Sequence, residues 1–143
     1  MTATRQPGAP PFAFRLDLAS GVPVYRQIID QVTGGIAAAR LRPGAQLPTV
    51  RQLAVDLAVN PNTVMRAYRE LEIRGILETQ QGTGTFISRQ PVPVDEVERQ
   101  RRLDQMVGEF VARAGAEGFS VRDLLAQLRE LEPGKDRKGK AAL

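Results

Sequence analysis

Leu47-Pro48-Thr49-Val50-Arg51-Gln52-Leu53-Ala54-Val55-Asp56-Leu57-Ala58-Val59-Asn60-Pro61-Asn62-Thr63-Val64-Met65-Arg66-Ala67-Tyr68-Arg69-Glu70-Leu71 is the stretch whose reading decides the fold. Thr49 stands three residues before Gln52, a capping-box pattern that opens a short helix, and Val50, Leu53, Ala54 and Leu57 follow at helical spacing. This helix is expected to end near Ala58. Asn60 can then cap a further helix whose first position is held by Pro61 and which runs to about Arg74, with Gly75 as its stop. Two helices joined by about three residues form a helix-turn-helix.

At 100° per residue the longer helix has two characters. Val64, Ala67, Tyr68 and Leu71 fall on one face, while Asn62, Thr63, Arg66 and Arg69 fall opposite. The second helix of such a motif enters the major groove of DNA, where Asn pairs with adenine and Arg with guanine through two hydrogen bonds each. Asn62 and Arg66, one turn apart, are therefore the direct-readout candidates. An isolated helix of this kind would more simply be a solvated amphipathic one; the preceding helix, the tight turn and the hairpin described below argue otherwise. Arg51, in the first turn of the shorter helix, is a candidate for a phosphate or base contact, or else an exposed side chain paired with Asp56 or hydrated. Thr49 is mainly a cap, and its hydroxyl could add a phosphate contact.

Outward from this core the chain divides. Residues 1–12 read as a disordered leader, and 13–89 as a winged helix-turn-helix domain. Phe14-Arg15-Leu16-Asp17-Leu18 alternates like a short half-buried strand, and Val24, Ile28, Val32 and Ile36, widened by Tyr25 and Ile29, predict a helix over about 23–39 with Pro23 at its first position. Arg42-Pro43-Gly44 is a turn signal. Downstream, Ile76 to Gln80 and Thr85 to Ser88 are strand-like around Gln81-Gly82-Thr83-Gly84, a hairpin that forms the wing. Gln81, Gly82 and Thr83 at its tip are candidate contacts to a sugar-phosphate strand, since Gly permits close backbone approach.

Pro91 and Pro93 mark a linker over 90–93, followed by a two-helix domain over 94–133 and a basic tail over 134–143. The first of these helices, at about 94–115, carries Leu103, Met106, Val107, Phe110 and Val111 on one face. The second, at about 120–132, is opened by Ser120 and carries Val121, Leu124, Leu125 and Leu128. So small a segment is marginal as a lone core, so these stripes are expected to pair with a second copy of the chain. The fold class is mainly α with a small β-hairpin wing.

Composition removes most other functions. The 143 residues contain no Cys and no His, which excludes thiolate and imidazole catalysis, disulfides, zinc fingers and other Cys- or His-ligated metal sites. The acidic pairs look like solvated helix faces, so neither an enzyme nor a cofactor is expected, and no metal site. Up to Arg89 there are ten arginines against six acids, whereas from Gln90 onward there are ten charges of each sign. A basic portion joined to a neutral one suits a polyanion-binding domain with an accessory domain. No apolar run nears the ~18 residues of a membrane span and no signal-peptide core opens the chain, so a cytoplasmic protein without membrane contact is expected.

Four motifs in order resemble the GntR family of bacterial transcription regulators: Pro23-Val24-Tyr25-Arg26-Gln27-Ile28, Arg42-Pro43-Gly44-Ala45-Gln46-Leu47-Pro48-Thr49-Val50-Arg51-Gln52-Leu53-Ala54, Val59-Asn60-Pro61-Asn62-Thr63-Val64 and Gly82-Thr83-Gly84-Thr85-Phe86-Ile87. The short two-helix C-terminal part is similar to the YtrA-like subfamily. The resemblance implies a homodimeric repressor that binds double-stranded DNA at a palindromic operator, often that of a transporter operon, with an effector ligand unknown. By position it places DNA contacts on Arg51, on Asn60, Asn62 and Thr63, and on Gln81-Gly82. Where many family members carry Arg, this chain has Pro61 and Met65. Two other readings stand beside it: a protein-interaction module that uses the winged domain and the C-terminal helices, and a small-molecule-responsive sensor.

Overall fold

Helix α1 (Val24–Ala37) is amphipathic, and the face that carries Gln27, Ile28, Ile29, Val32 and Gly35 is buried. What covers it is the remainder of the first of two compact units into which the chain divides at Gln90 and Pro91. The computed structural model describes residues 12–89 and 95–133. The expected linker, all of the leader but Phe12 and all of the basic tail lie outside the described residues.

In the first unit α1 is followed by β1 (Gln46–Leu47), α2 (Val50–Leu57), α3 (Pro61–Ile73), β2 (Leu77–Gln80) and β3 (Gly84–Ile87). The core joins Ile28, Ile29 and Val32 of α1 to Leu53 and Ala54 of α2, to Val64, Ala67, Tyr68 and Leu71 of α3, and to Leu47, Leu77 and Ile87 of the sheet. The three strands lie in the order β1-β3-β2, all antiparallel. Leu77 faces Ile87 and Gln80 faces Gly84 across the hairpin, while Gln46 faces Phe86 on its other edge. The third strand, β1, is an addition to the expected hairpin.

Local chemistry explains most boundaries. Pro23 sits just before α1 as its cap residue, with ψ 144°, rather than as the first helical residue. The Arg42 carbonyl accepts from Ala45 N–H at 2.9 Å across a turn in which Gly44 takes φ +82°. Between α2 and α3 the chain reverses through Ala58, which has φ +54° and stops α2 without the glycine usual for that conformation.

The alternation of Phe14 to Leu18 does not make a strand; its partner is a helix. The Gln31 side-chain amide accepts from Arg15 N–H at 2.8 Å and donates to the Arg15 carbonyl. One turn earlier on α1, Gln27 accepts from Asp17 N–H at 2.8 Å and donates to the Asp17 carbonyl at 2.9 Å. Two glutamines thus supply the ladder that a neighbouring strand would have given. Phe12, at the end of the expected leader, packs edge-on against Phe14 at 5.0 Å and lies where a Cβ on Gly35 would fall.

The second unit holds α4 (Glu96–Ala116) and α5 (Val121–Leu131). Asp95 caps α4, and Ser120 with Asp123 forms a complete capping box on α5. Along the first half of α4, Glu98 binds both Arg101 and Arg102, at 2.8 and 2.9 Å, and Gln100 donates to Asp104. Helical pairs of this kind stabilise the helix from its own surface. The expected apolar stripe is not buried by the two helices of this unit: Leu103, Phe110 and Leu125 are each 46% exposed and Met106 is 65% exposed. Val107, Val121 and Leu128 are exposed as well, Val111 and Leu124 are half-buried, and only Ala114 is buried.

Three outcomes follow from these contacts. Gln27→Leu, which strips the paired amide from a buried position, should lower stability by about 1–3 kcal/mol, read as a lower denaturant midpoint at unchanged slope. Ala58→Gly should raise stability by roughly 0.5–1 kcal/mol, because relief of the left-handed strain exceeds the added flexibility of the unfolded chain. The Glu98 carboxyl is held down at about 2 by the hydrogen bonds of Arg101 and Arg102, below its ordinary 4.5. A depressed carboxylate stabilises above its unfolded value, so the helicity gained from this pair should be lost as pH falls from about 4.5 to about 2, and Glu98→Gln should remove that part of the acid transition in circular dichroism.

Candidate nucleic-acid interface

The presentation of α3 rests on one buried hydroxyl. Tyr68 lies on the inner face of the helix, where burial pushes its phenol far above the ordinary value, and it donates to the Pro48 carbonyl at 2.7 Å. Pro48 immediately precedes Thr49, whose hydroxyl accepts from Gln52 N–H at 3.1 Å to cap α2. The same short segment therefore opens α2 and anchors the middle of α3. The capping box of Thr49 and Gln52 is only half made, because the Gln52 amide turns to Asp56 at 2.8 Å. At the start of α3 the Asn60 side-chain oxygen accepts from Asn62 N–H at 2.8 Å, which commits that oxygen to the cap and leaves its NH₂ group.

On the opposite face Asn62, Met65, Arg66 and Arg69 are exposed and Thr63 is half-buried. With Glu70 and Ile73, the four exposed residues line a shallow hollow of about 400 Å³ along the helix. Arg66 does not extend freely into it: its guanidinium carbon rests 3.8 Å from the centroid of the Tyr25 ring. Arg69 makes only a weak contact, 3.9 Å, with the Met65 sulfur. Arg51 is exposed on α2, and since Asp56 is engaged by Gln52, Arg51 has no hydrogen-bond or ion-pair partner among the described residues.

At the wing, Gln81, Gly82 and Thr83 are exposed, and Gly82 takes φ +75°. The Gln46 amide donates to the Thr83 carbonyl at 3.2 Å and approaches to 2.6 Å of the place a Cβ on Gly84 would occupy, so β1 steadies the base of the tip. No hydrogen bond or ion pair joins the tip or Arg51 to the group on α3; they stand on separate elements of one unit. The arginines of this unit divide by partner. Among the described residues Arg74 is paired with Glu70 at 2.8 Å and Arg26 with Asp30 at 3.9 Å, whereas Arg15, Arg40, Arg42, Arg51, Arg66, Arg69 and Arg89 have no carboxylate within 4 Å; of these, Arg51, Arg66 and Arg69 stand on the two helices of the motif. An unneutralised set of cations beside an exposed amide is an arrangement that receives a polyanion.

Three residues of this surface escape sequence reasoning. Tyr25 reads as part of the α1 apolar stripe, Gln46 as loop, and Met65 as a departure from a family pattern. For Gln46 the signal is its polarity and for Met65 its outward helical phase; for Tyr25 there is none, since its contact is with a distant helix.

Comparison with known proteins decides the classification. The pattern that defines the bacterial regulatory proteins of the gntR family matches residues 24–87. The chain is 36% identical over 115 residues to the HTH-type transcriptional regulator YhcF of Bacillus subtilis, which covers 80% of this chain and 94% of that protein. The chain belongs to the GntR family. A second GntR relative, the HTH-type transcriptional repressor YtrA of Bacillus subtilis, is 33% identical over 117 residues, 82% of this chain and 90% of that one, which supports the YtrA-like branch. Among solved structures, a GntR family transcriptional regulator from Listeria monocytogenes superposes with a TM-score of 0.56 at 29% identity, over 82% of this chain and 100% of that one. The GntR fold here is a winged helix-turn-helix, and the chain is a DNA-binding transcriptional regulator. Among the described residues no helix is long and apolar enough to cross a membrane, and no group of three or more Asp or Glu could hold a metal ion.

Tyr68→Phe keeps the ring and leaves the Pro48 carbonyl unpaired. Thermal or chemical denaturation should show a loss of about 1–2 kcal/mol, against about 1 kcal/mol for Thr49→Ala, which removes only the α2 cap.

Proposed function

We propose that the chain is a sequence-specific repressor that binds a palindromic operator as a homodimer in the cytoplasm. The observation that carries the reading is the exposed outer face of α3, with Asn62, Arg66 and Arg69 free of carboxylate partners on a helix whose inner face is fully committed to the core. Asn62 and Arg66 read base edges in the major groove; Arg51 and Arg69 bind phosphates at its rim, with Arg51 close enough to the motif's entry to add a base contact. Asn60 and Thr63 support the N-terminal turn of α3, and the Thr49 hydroxyl adds at most a phosphate contact to its capping role. Gln81, Gly82 and Thr83 approach the adjacent backbone from the wing tip.

The exposed stripes of α4 and α5 supply the second copy. Leu103, Met106, Val107, Phe110 and Val111 on α4, with Val121, Leu124, Leu125 and Leu128 on α5, form a large apolar surface for so small a unit, and burial of such a surface drives association. Two copies present two reading helices, which is why the operator is palindromic. The likeness to the repressor YtrA supports repression, and the resemblance to its subfamily points to a transporter operon. No catalytic step is assigned to the chain.

Selection of bound sequences from a random duplex library at two salt concentrations tests this reading. A two-fold symmetric site with affinity falling steeply as salt rises is expected, and Arg51→Ala should reduce the salt slope by about 1 while leaving most of the preference in place. No enrichment, or an enriched site without symmetry, overturns it and favours the protein-interaction module. Phe110→Glu should convert the dimer to monomer in sedimentation and weaken binding to the full palindrome much more than to a half-site.

A further inference from the structure

Arg66 is distinguished from its neighbours by what lies beneath it. Tyr25, the second residue of α1, is half-buried and packed on the core cluster, and its ring carries the Arg66 guanidinium at 3.8 Å. A cation over the face of a ring is attracted by the ring quadrupole, and a guanidinium held by its face keeps its in-plane N–H groups for other acceptors. Those N–H groups are unused: Arg66 makes no hydrogen bond or ion pair among the described residues. The carboxylate best placed to capture them is Glu70, one turn along the same helix, and Glu70 is already taken by Arg74 at 2.8 Å. Arg69, by contrast, has no ring below it and only the weak Met65 contact among the described residues.

We propose that Tyr25 is a positioning residue for base recognition: its ring holds Arg66 so that the free N–H fork addresses the acceptor edge of one guanine in each half-site. The inference rests on the DNA-reading function above. An unrestrained arginine loses side-chain freedom when it docks on a base edge; one already laid on a ring has lost part of that freedom in the free protein, so less is lost on binding. Bidentate pairing with guanine demands fixed orientation, whereas a phosphate tolerates a looser approach, which is why the platform lies under Arg66 and not under Arg69.

Duplex selection with wild type, Tyr25→Leu, Tyr25→Phe and Arg66→Ala tests the role, with melting temperature and salt slope recorded for each. Arg66→Ala is expected to abolish the guanine preference at one base pair per half-site. Tyr25→Leu should weaken the preference at that same pair by roughly two- to five-fold, the range of an exposed cation–π contact. It should leave other positions and the salt slope unchanged, and Tyr25→Phe should restore wild-type preference. A general loss of affinity at all positions, as from a loosened fold, would overturn the positioning role, as would a Tyr25→Leu protein that selects the wild-type site with undiminished preference. If wild type selects no sequence at all, the DNA-reading function itself is overturned.

Discussion

The buried face of α3 is the constraint on which the rest of the molecule depends. Val64, Ala67, Tyr68 and Leu71 are almost wholly withdrawn from water, and they are covered by α1, α2 and the sheet together. A helix enclosed in this way has one face left, and that face carries its polar residues. Tyr68 adds direction to the packing. A buried hydroxyl needs a partner, and the Pro48 carbonyl at 2.7 Å is the partner that fixes the middle of α3 against the start of α2. The angle between the two helices of the motif, and so the attitude of the reading surface, follows from that contact and the apolar stripe beneath it.

The two units leave uncovered surfaces of different chemistry. In the first, the uncovered face is cationic: Arg51, Arg66 and Arg69 have no neutralising carboxylate, although Glu70, Glu72 and Asp56 are close in sequence. Each of those acids is engaged elsewhere, Glu70 by Arg74, Glu72 by the Thr79 hydroxyl and Asp56 by Gln52. In the second unit, the arginines at the start of α4 are matched with acids one turn away, and an apolar stripe remains uncovered beside them. Exposed ion pairs of this sort contribute little energy, but they leave the apolar stripe as the feature that an associating surface would recognise.

Three of the caps were legible because they are local. Thr49, Asn60 and Ser120 each satisfy backbone N–H groups two or three residues on, a geometry that a short sequence pattern contains in full, whereas Asp95 reads as the interior of a helix and proves to be its cap. The phase of α3 was legible for the same reason. The segment Phe14 to Leu18 shows the limit of such reasoning: alternation reports an extended, half-buried backbone but not what lies alongside it, and here that is the pair Gln27 and Gln31. Strand β1 was invisible because two residues have no period.

By itself, then, the sequence determined the approximate extent of each helix, which face of each is apolar, that a helix-turn-helix precedes a wing, and that the C-terminal stripes exceed what so small a unit can bury. These are properties of neighbours along the chain, set by periodicity and by side chains that reach their own backbone. The tertiary structure alone decided that Tyr25 lies beneath Arg66, that glutamines of α1 hold the N-terminal segment, and that β1 completes the sheet behind the wing. Each joins residues far apart in the chain, and which of them meet depends on how whole faces pack together, a choice made by the shape of the entire core rather than by any local pattern.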